Sequence, residues 1–202
     1  MTCIEKWNLA VNIIVALGTV GAVIVALFGD RIKNLIFRSK LSAEVVDPRG
    51  ELTNWGDGRR VIYYHLKILN SKPSIMVNKC RVSLKEIYKR NNNSQFIKLQ
   101  LVVPPDFKWA PAETSLPAIN FFSEQILDFG FITEGSDNFS PSISPIWNNF
   151  KGYLKANETF RYVLEILSNN SKPKIITIEV SWDGGWDANL EIMGTAFKIR
   201  IL

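Results

Sequence analysis

The chain divides into one long apolar stretch and a following region in which apolar and polar positions alternate. Residues 9–28 read LAVNIIVALGTVGAVIVALF, with no charged side chain and only Asn12 and Thr19 as polar ones. Twenty such residues in a helix match the hydrocarbon thickness of a bilayer. The segment before it is neutral and no small-residue cleavage site follows, which argues against a cleaved signal peptide. The sequence therefore predicts a retained transmembrane helix.

Lysine and arginine are placed unevenly about this stretch. Only Lys6 precedes it, whereas four basic residues follow it closely: Arg31, Lys33, Arg38 and Lys40. Because basic flanks stay on the cytoplasmic side, we predict that the N-terminus lies outside and the bulk of the chain in the cytoplasm. The predicted organisation is a tail and helix over 1–29, a basic juxtamembrane linker over 30–40 and a β-domain over 41–202. Trp7 and the four basic residues are the predicted membrane-interface side chains.

Small side chains recur every fourth position on the predicted helix, at Gly18, Ala22 and Ala26. Such a stripe lets two membrane helices approach closely, so self-association through this face is one interpretation. Glycine and alanine are also common in membrane helices that do not associate, and this alternative stays open.

Period-two alternation replaces helical periodicity after Lys40. In the segment 61–69, for example, Ile62, Tyr64, Leu66 and Ile68 alternate with more polar residues, which places His65 on the polar face. Eight strands are predicted, near 41–47, 61–69, 75–88, 95–103, 126–132, 159–167, 174–182 and 194–202. Eight strands without intervening helices indicate a mainly β fold, either an antiparallel Ig-like β-sandwich or a small barrel.

Two long proline-containing connections, 104–125 and 133–158, interrupt this series of strands. Loops of this length in a compact domain are often functional. Each carries aromatic residues: Phe107 and Trp109 in the first, and Phe139, Trp147 and Phe150 in the second. These aromatic rings either cap the open ends of the β-domain or form a ligand surface.

Two turns combine tryptophan, aspartate and glycine. One reads SWDGGWD over 181–187, and the other reads NWGDGRR over 54–60. Stacking tryptophans beside basic side chains could hold an anionic ligand such as a nucleotide. The candidate ligand-binding residues are Arg59, Arg60, Trp182, Asp183 and Trp186. The alternative is ordinary turn chemistry, with both tryptophans packed on the edge of the β-domain.

The sequence carries little else that supports catalysis. It contains one histidine, His65, and two cysteines, Cys3 and Cys80, on opposite sides of the apolar stretch. No metal-ligand spacing, phosphate-binding loop or nucleophile motif is present, so we expect no cofactor, no metal and no catalytic residues. The net charge of +5 lies mostly in residues 30–40, which makes nucleic acid an unexpected partner.

Five short segments carry a resemblance: Gly29-Asp30-Arg31-Ile32, Lys40-Leu41, Tyr63-Tyr64-His65-Leu66, Leu69-Asn70 and Ser181-Trp182-Asp183-Gly184. With these segments the chain resembles small bacterial single-pass membrane proteins of uncharacterised activity with a C-terminal β-sandwich domain. The resemblance implies a bacterial inner-membrane protein.

Two functions follow as hypotheses from these observations. The first is a membrane-anchored, non-catalytic binding or adaptor protein whose cytoplasmic β-domain recognises a protein partner, or a second copy through the helix. The alternative rests on architecture alone, which looks like that of membrane-anchored β-barrel effectors in bacterial anti-phage signalling. In such an effector the β-domain binds a small anionic nucleotide signal and the helix oligomerises.

Overall fold

A computed structural model describes residues 2–36, 38–111 and 115–202; for Cys3, Glu5, Lys6 and residues 30–36 it describes the backbone only. The described chain forms two compact units, Met1–Arg38 and Ser39–Leu202. The first unit is the helix α1, Cys3–Ile36. Its segment Trp7–Gly29 has a mean hydropathy of 2.5 and no buried residues, so the helix is long and apolar enough to cross a membrane.

The described residues of the second unit form fourteen strands and one short helix. In chain order the elements are β1 Leu41–Val45, β2 Glu51–Asn54, β3 Arg60–Asn70, β4 Val77–Arg90, β5 Phe96–Leu99, β6 Asp106–Trp109, β7 Ile119–Phe121, β8 Glu124–Thr133, β9 Asn138–Pro141, β10 Ile143–Ser144, β11 Leu154–Lys155, β12 Glu158–Leu167, β13 Lys174–Trp182, α2 Leu190–Ala196 and β14 Phe197–Ile201.

Eight of these strands form a nearly closed antiparallel barrel-like sheet in the order β1-β3-β8-β6-β4-β12-β13-β14. The mainly β fold with an N-terminal apolar helix is therefore confirmed, with the small barrel as the form it takes. The remaining strands extend its flanks: β2 pairs with β3, β5 and β7 with β4, β9 with β8, β10 with β6, and β11 with β9. A bulge opposite Tyr64 and His65 shifts the register between β3 and β8.

The barrel interior is filled by side chains from alternating strand positions. On β3, Ile62, Tyr64, Leu66 and Ile68 are fully buried, as the alternation predicts. An aromatic cluster occupies the middle: the Tyr64 and Phe197 ring centroids are 4.1 Å apart and those of Phe139 and Phe197 are 5.1 Å apart. Since all the buried core residues come from Leu41 onward, the β-domain has a complete core of its own.

The long connections 104–125 and 133–158 differ from the expectation of two open loops. They contain the short strands β6, β7, β9, β10 and β11. Phe107, Trp109 and Phe139 are buried core residues, whereas Trp147 is partly exposed. Their burial favours packing over a ligand surface for these three rings.

The final predicted strand, 194–202, is shorter than expected. Residues Leu190–Ala196 form the helix α2, capped by the Asn189 side chain, which accepts a hydrogen bond from the Glu191 amide at 3.0 Å. Strand β14 begins only at Phe197. The expectation that no helix lies between the strands was wrong here. A helix of seven residues has two turns at most, which is too short to give a recognisable helical periodicity in the sequence.

Candidate functional site

A groove of about 970 Å³ runs across the outer face of β2, β3, β8 and β6. Outward-facing positions of the paired strands bring its residues together: His65 on β3 is paired with Asp128 on β8, and Asp128 with Lys108 on β6. The groove's volume is in the range of sites that hold a small molecule or a short peptide segment.

Three aromatic side chains form one wall of this groove. The Trp55 and Phe131 rings meet edge to face with centroids 5.5 Å apart, and Tyr63 packs on Phe131 at 5.4 Å. The Trp55 indole N–H donates to the Tyr63 hydroxyl oxygen at 3.0 Å. The indole donor is therefore satisfied within the wall, so the wall presents mainly apolar ring surface to the groove.

The floor of the groove holds an imidazole between two carboxylates. His65 Nδ1 lies 2.9 Å from Asp128 Oδ1, and His65 Nε2 lies 3.4 Å from Glu51 Oε2. Among the described residues Nδ1 has no hydrogen-bond partner, so its close approach to Asp128 is a contact without hydrogen-bond geometry. The Tyr63 ring lies parallel to the imidazole, with centroids 5.9 Å apart.

Asp128 is the most unusual residue of this floor. Only 4% of it is exposed, although a carboxylate is rarely so buried unless it is paired. Asp128 contacts the His65 imidazole, while Glu51 is largely open to solvent. In the Glu51–His65–Asp128 set, two carboxyl groups thus flank a single imidazole. Lys108 lines the same groove on the neighbouring strand.

The predicted arginine pair does not converge on one site. Arg59 stacks over Trp55 at 4.9 Å and pairs with Asp57 at 2.7 Å. Arg60 stacks over Trp186 at 5.0 Å and donates to both carboxylate oxygens of Glu134. The two turns are therefore neighbours through Arg60 and Trp186, while Arg59 belongs to the 54–60 turn alone.

Hydrogen bonds to these arginines change the acidity of their partners. The Arg59 side chain and amide hold the pKa of the Asp57 carboxyl below its ordinary value, and Arg60 does the same for Glu134. Both guanidinium groups have raised pKa values for the same reason. Each arginine charge is thus already matched by a carboxylate.

Trp182 and Asp183 have structural contacts. Trp182 is 2% exposed, and its indole N–H donates to the Gly185 carbonyl at 2.7 Å. The Asp183 carboxylate accepts from the Gly185 amide at 2.7 Å and closes the turn, in which Gly184 has a positive φ of 99°. Trp182 therefore packs in the core, where its ring is closed to a ligand, and Asp183 serves the turn.

On the helix, the predicted self-association residues Gly18, Ala22 and Ala26 are exposed. Nothing lies within 4 Å of a methyl group built on Gly18. Trp7 and Lys40 are exposed and Arg38 is half-buried, whereas the side chains of Arg31 and Lys33 lie outside the described part. Self-association and the interface role of these residues remain predictions.

No protein-family model matches the chain. No curated protein matches it significantly either.

The sequence pattern pointed to the rim of this region rather than to the groove itself. Trp55 lies in one of the two Trp–Asp–Gly turns, whereas the alternation predicts His65 only as a residue of the polar face. Asp128 belongs to no sequence motif, although it interrupts the apolar run of Ile126, Leu127 and Phe129. A carboxylate inside an otherwise apolar strand is the one local signal that could have identified the floor.

Proposed function

We propose that the chain is a non-catalytic binding protein, anchored in a bacterial inner membrane by one helix, whose β-domain lies in the cytoplasm and binds a segment of a protein partner in the groove. The observation that carries the proposal is the groove itself, in which an aromatic wall faces a floor of carboxylates beside a lysine. The basic residues after the apolar stretch support the orientation.

The chemistry of the floor favours a polypeptide. Asp128 and Glu51 offer acceptor oxygens for the N–H groups of a peptide, and Lys108 offers a donor for its C=O groups. The groove therefore contains both kinds of hydrogen-bonding group that a peptide backbone requires. The wall of Trp55 and Phe131 suits an apolar or aromatic side chain of the same segment. Aromatic anchors of this kind dominate the energetics of protein interfaces.

The same charges disfavour a nucleotide in this groove. Glu51 and Asp128 would face its phosphates, and Lys108 alone does not outweigh them. The arginines that the sequence offered as phosphate ligands are each paired with a carboxylate. These contacts support the protein-partner hypothesis over the nucleotide-gated effector.

The environment of His65 also supports a non-catalytic role. A serine or cysteine nucleophile is activated when one imidazole nitrogen contacts it and the other is oriented by a carboxylate. Here each nitrogen contacts a carboxylate, Asp128 on one side and Glu51 on the other. Neither nitrogen is placed to take a proton from a hydroxyl or thiol group.

Photo-crosslinking from inside the groove tests the proposal. A photoreactive amino acid replaces Thr53, an exposed groove residue, in the full chain expressed in bacterial cells, and a matched variant carries it at Gln95, in the exposed turn between β4 and β5. We expect a discrete polypeptide adduct at Thr53, lost when Trp55→Ala or Lys108→Glu is added, and no adduct at Gln95. Equal adducts at both positions, or none at Thr53, would contradict the proposal.

Two further measurements separate the alternatives. Titration calorimetry of the full chain in detergent with cyclic di- and oligonucleotides should give no binding heat, and a clear heat would favour the nucleotide-gated effector. A reporter that works only in the cytoplasm should be active when it is fused after Leu202, and a reporter that works only in the periplasm should be inactive there. Activity of a periplasmic reporter at the same position would refute the proposed orientation.

A further inference from the structure

Basic residues without an ion-pair partner among the described residues occur in several parts of the β-domain, for example at Arg90, Lys108 and Lys151, but five such lysines are concentrated at one end of it. Many other arginines and lysines of the unit are paired with carboxylates, as in Arg49–Asp47, Lys85–Glu165 and Arg200–Glu179. At the end where the chain enters at Ser39, the lysines have no ion-pair partner among the described residues. They are Lys40, Lys72, Lys79, Lys172 and Lys174.

This end, which we call the entry face, consists of Ser39–Lys40, the turns 71–76, 122–123 and 168–173, and the adjoining strand ends that carry Lys79, Glu124 and Lys174. Hydrogen bonds join these segments: the Ser39 amide donates to the Asn170 carbonyl at 3.0 Å, and the Ser71 amide donates to the Lys40 carbonyl at 2.9 Å. The buried Asn70 side chain donates to the Phe122 carbonyl at 2.8 Å. The turns are thus held as one platform rather than as independent loops.

The entry face combines its positive charges with exposed apolar side chains. Phe122 is 56% exposed and Met76 38% exposed, in turns that neighbour Lys72 and Lys79. Among the described residues of this face, Glu124 is the acidic one, and it already lies 3.8 Å from Lys67. Lysines around protruding apolar side chains are typical of surfaces that contact anionic lipid headgroups.

The covalent tether also favours this partner. Only two residues, 37 and 38, separate the last helical residue, Ile36, from Ser39 on the entry face. The three steps along the chain from Ile36 to Ser39 span at most about 11 Å, so the covalent connection alone keeps the entry face within reach of the membrane in which the helix is anchored. A weak lipid contact becomes effective when a tether keeps it at a high local concentration.

We propose that the entry face docks on the anionic lipid surface of the bilayer in which the chain is anchored, so that the opposite end of the barrel faces away from the membrane. This inference rests on the proposed membrane anchoring and is independent of what the groove binds. The basic juxtamembrane residues contribute to the same contact, and the lysines of the entry face fix which end of the β-domain turns to the lipid.

Lipid-quenching fluorescence on the full chain in nanodiscs tests this docking. The background variant is Cys3→Ser, and the remaining native cysteine, Cys80, is buried. A fluorophore is attached to a cysteine introduced by Ser74→Cys on the entry face, or by Asn93→Cys in the turn between β4 and β5 at the opposite end. The nanodiscs contain phosphatidylcholine with or without phosphatidylserine, plus a lipid with a quencher on its headgroup. We expect strong quenching at residue 74 only with phosphatidylserine, reduced by high salt, and little at residue 93.

The charge-removal variant is Lys72→Gln, Lys172→Gln and Lys174→Gln. With about a fivefold effect for each lysine near an anionic surface, the docking equilibrium should weaken about 100-fold and the quenching at residue 74 should fall to the level at residue 93. The matched control removes three unpaired basic residues elsewhere, Arg90→Gln, Lys151→Gln and Lys155→Gln, and should leave the quenching unchanged.

Each outcome is informative. Equal quenching at the two probes, or an equal effect of the two triple variants, would overturn the docking of the entry face while leaving the anchored binding protein intact. Failure of the chain to incorporate into nanodiscs at all would refute the anchoring, and this inference with it. Loss of crosslinking from Thr53, by contrast, bears on the groove alone.

Discussion

Gly130 on β8 is packed directly against the central aromatic cluster, which makes it a sensitive test of the core. A methyl group added there would lie 2.3 Å from the Phe139 ring, at Cζ, and 2.7 Å from the Ser140 carbonyl oxygen. Gly130 has no positive φ, so a Gly130→Ala change acts through this collision and not through backbone strain. We expect a cost of about 1–3 kcal/mol in the free energy of unfolding, as for other overpacked cores.

A double-mutant cycle assigns that cost to the ring. Phe139→Ala alone removes a fully buried phenyl group and should cost about 3–5 kcal/mol, which lowers the melting temperature of a unit of this size by roughly 6–20 °C. In the double variant the methyl group of residue 130 enters the space left by the ring. The combined cost should therefore be smaller than the sum of the single costs by about 1–3 kcal/mol.

The measurement is denaturation of the full chain in detergent, followed by circular dichroism of the β signal. The matched control is Gly56→Ala, where an added methyl group has nothing within 4 Å and φ is not positive, and it should change stability by less than about 0.5 kcal/mol. If the costs of Gly130→Ala and Phe139→Ala were additive within about 0.5 kcal/mol, the ring would not be the source of the cost and the reasoning would fail.

Two further predictions concern buried polar contacts. Tyr162→Phe removes a hydroxyl group that donates to the Gly152 carbonyl at 2.7 Å in the core, so thermal denaturation should show a loss of about 1–3 kcal/mol; an unchanged melting temperature would contradict this. Burial alone would raise the pKa of Glu179, but hydrogen bonds from Arg161 and Arg200 bring it below its usual 4.5. The ionised Glu179 therefore contributes fully to stability above pH 4.5, and this contribution is lost as the pH falls through the lowered pKa of the folded state. Arg200→Gln removes one of the two hydrogen-bond donors, so in a plot of unfolding free energy against pH the decrease below pH 4.5 should become smaller.

The long strands could be predicted from the sequence because each carries a repeated period-two signal. On β12, Phe160, Tyr162 and Leu164 alternate with residues that are half-buried, and the same holds on β13. The short strands β9, β10 and β11 have two to four residues, so their pairing is decided by distant neighbours such as the contact of β9 with β8. No local pattern of that length distinguishes a strand from a loop.

The groove could not be predicted because its residues become neighbours only through the sheet. Trp55 and Phe131 lie far apart along the chain, and so do His65 and Asp128. The register that unites them depends on the bulge at β3 and β8, where one extra residue turns Asp128 to the outer face. The Trp–Asp–Gly turns, by contrast, are local motifs and were identified, but the sequence did not show that their arginines are neutralised.

The contact between Tyr64 and Phe197 has a consequence for how the β-domain folds. These rings belong to β3, near the start of the sheet path, and to β14, its last strand, yet they pack 4.1 Å apart in the centre of the core. Closing so long a loop is entropically costly before the contact forms, and barrels dominated by such distant pairings fold slowly. In any state in which β14 has not docked, Tyr64 lacks the Phe197 ring, so burial of the central aromatic cluster is complete only when the last strand joins the sheet.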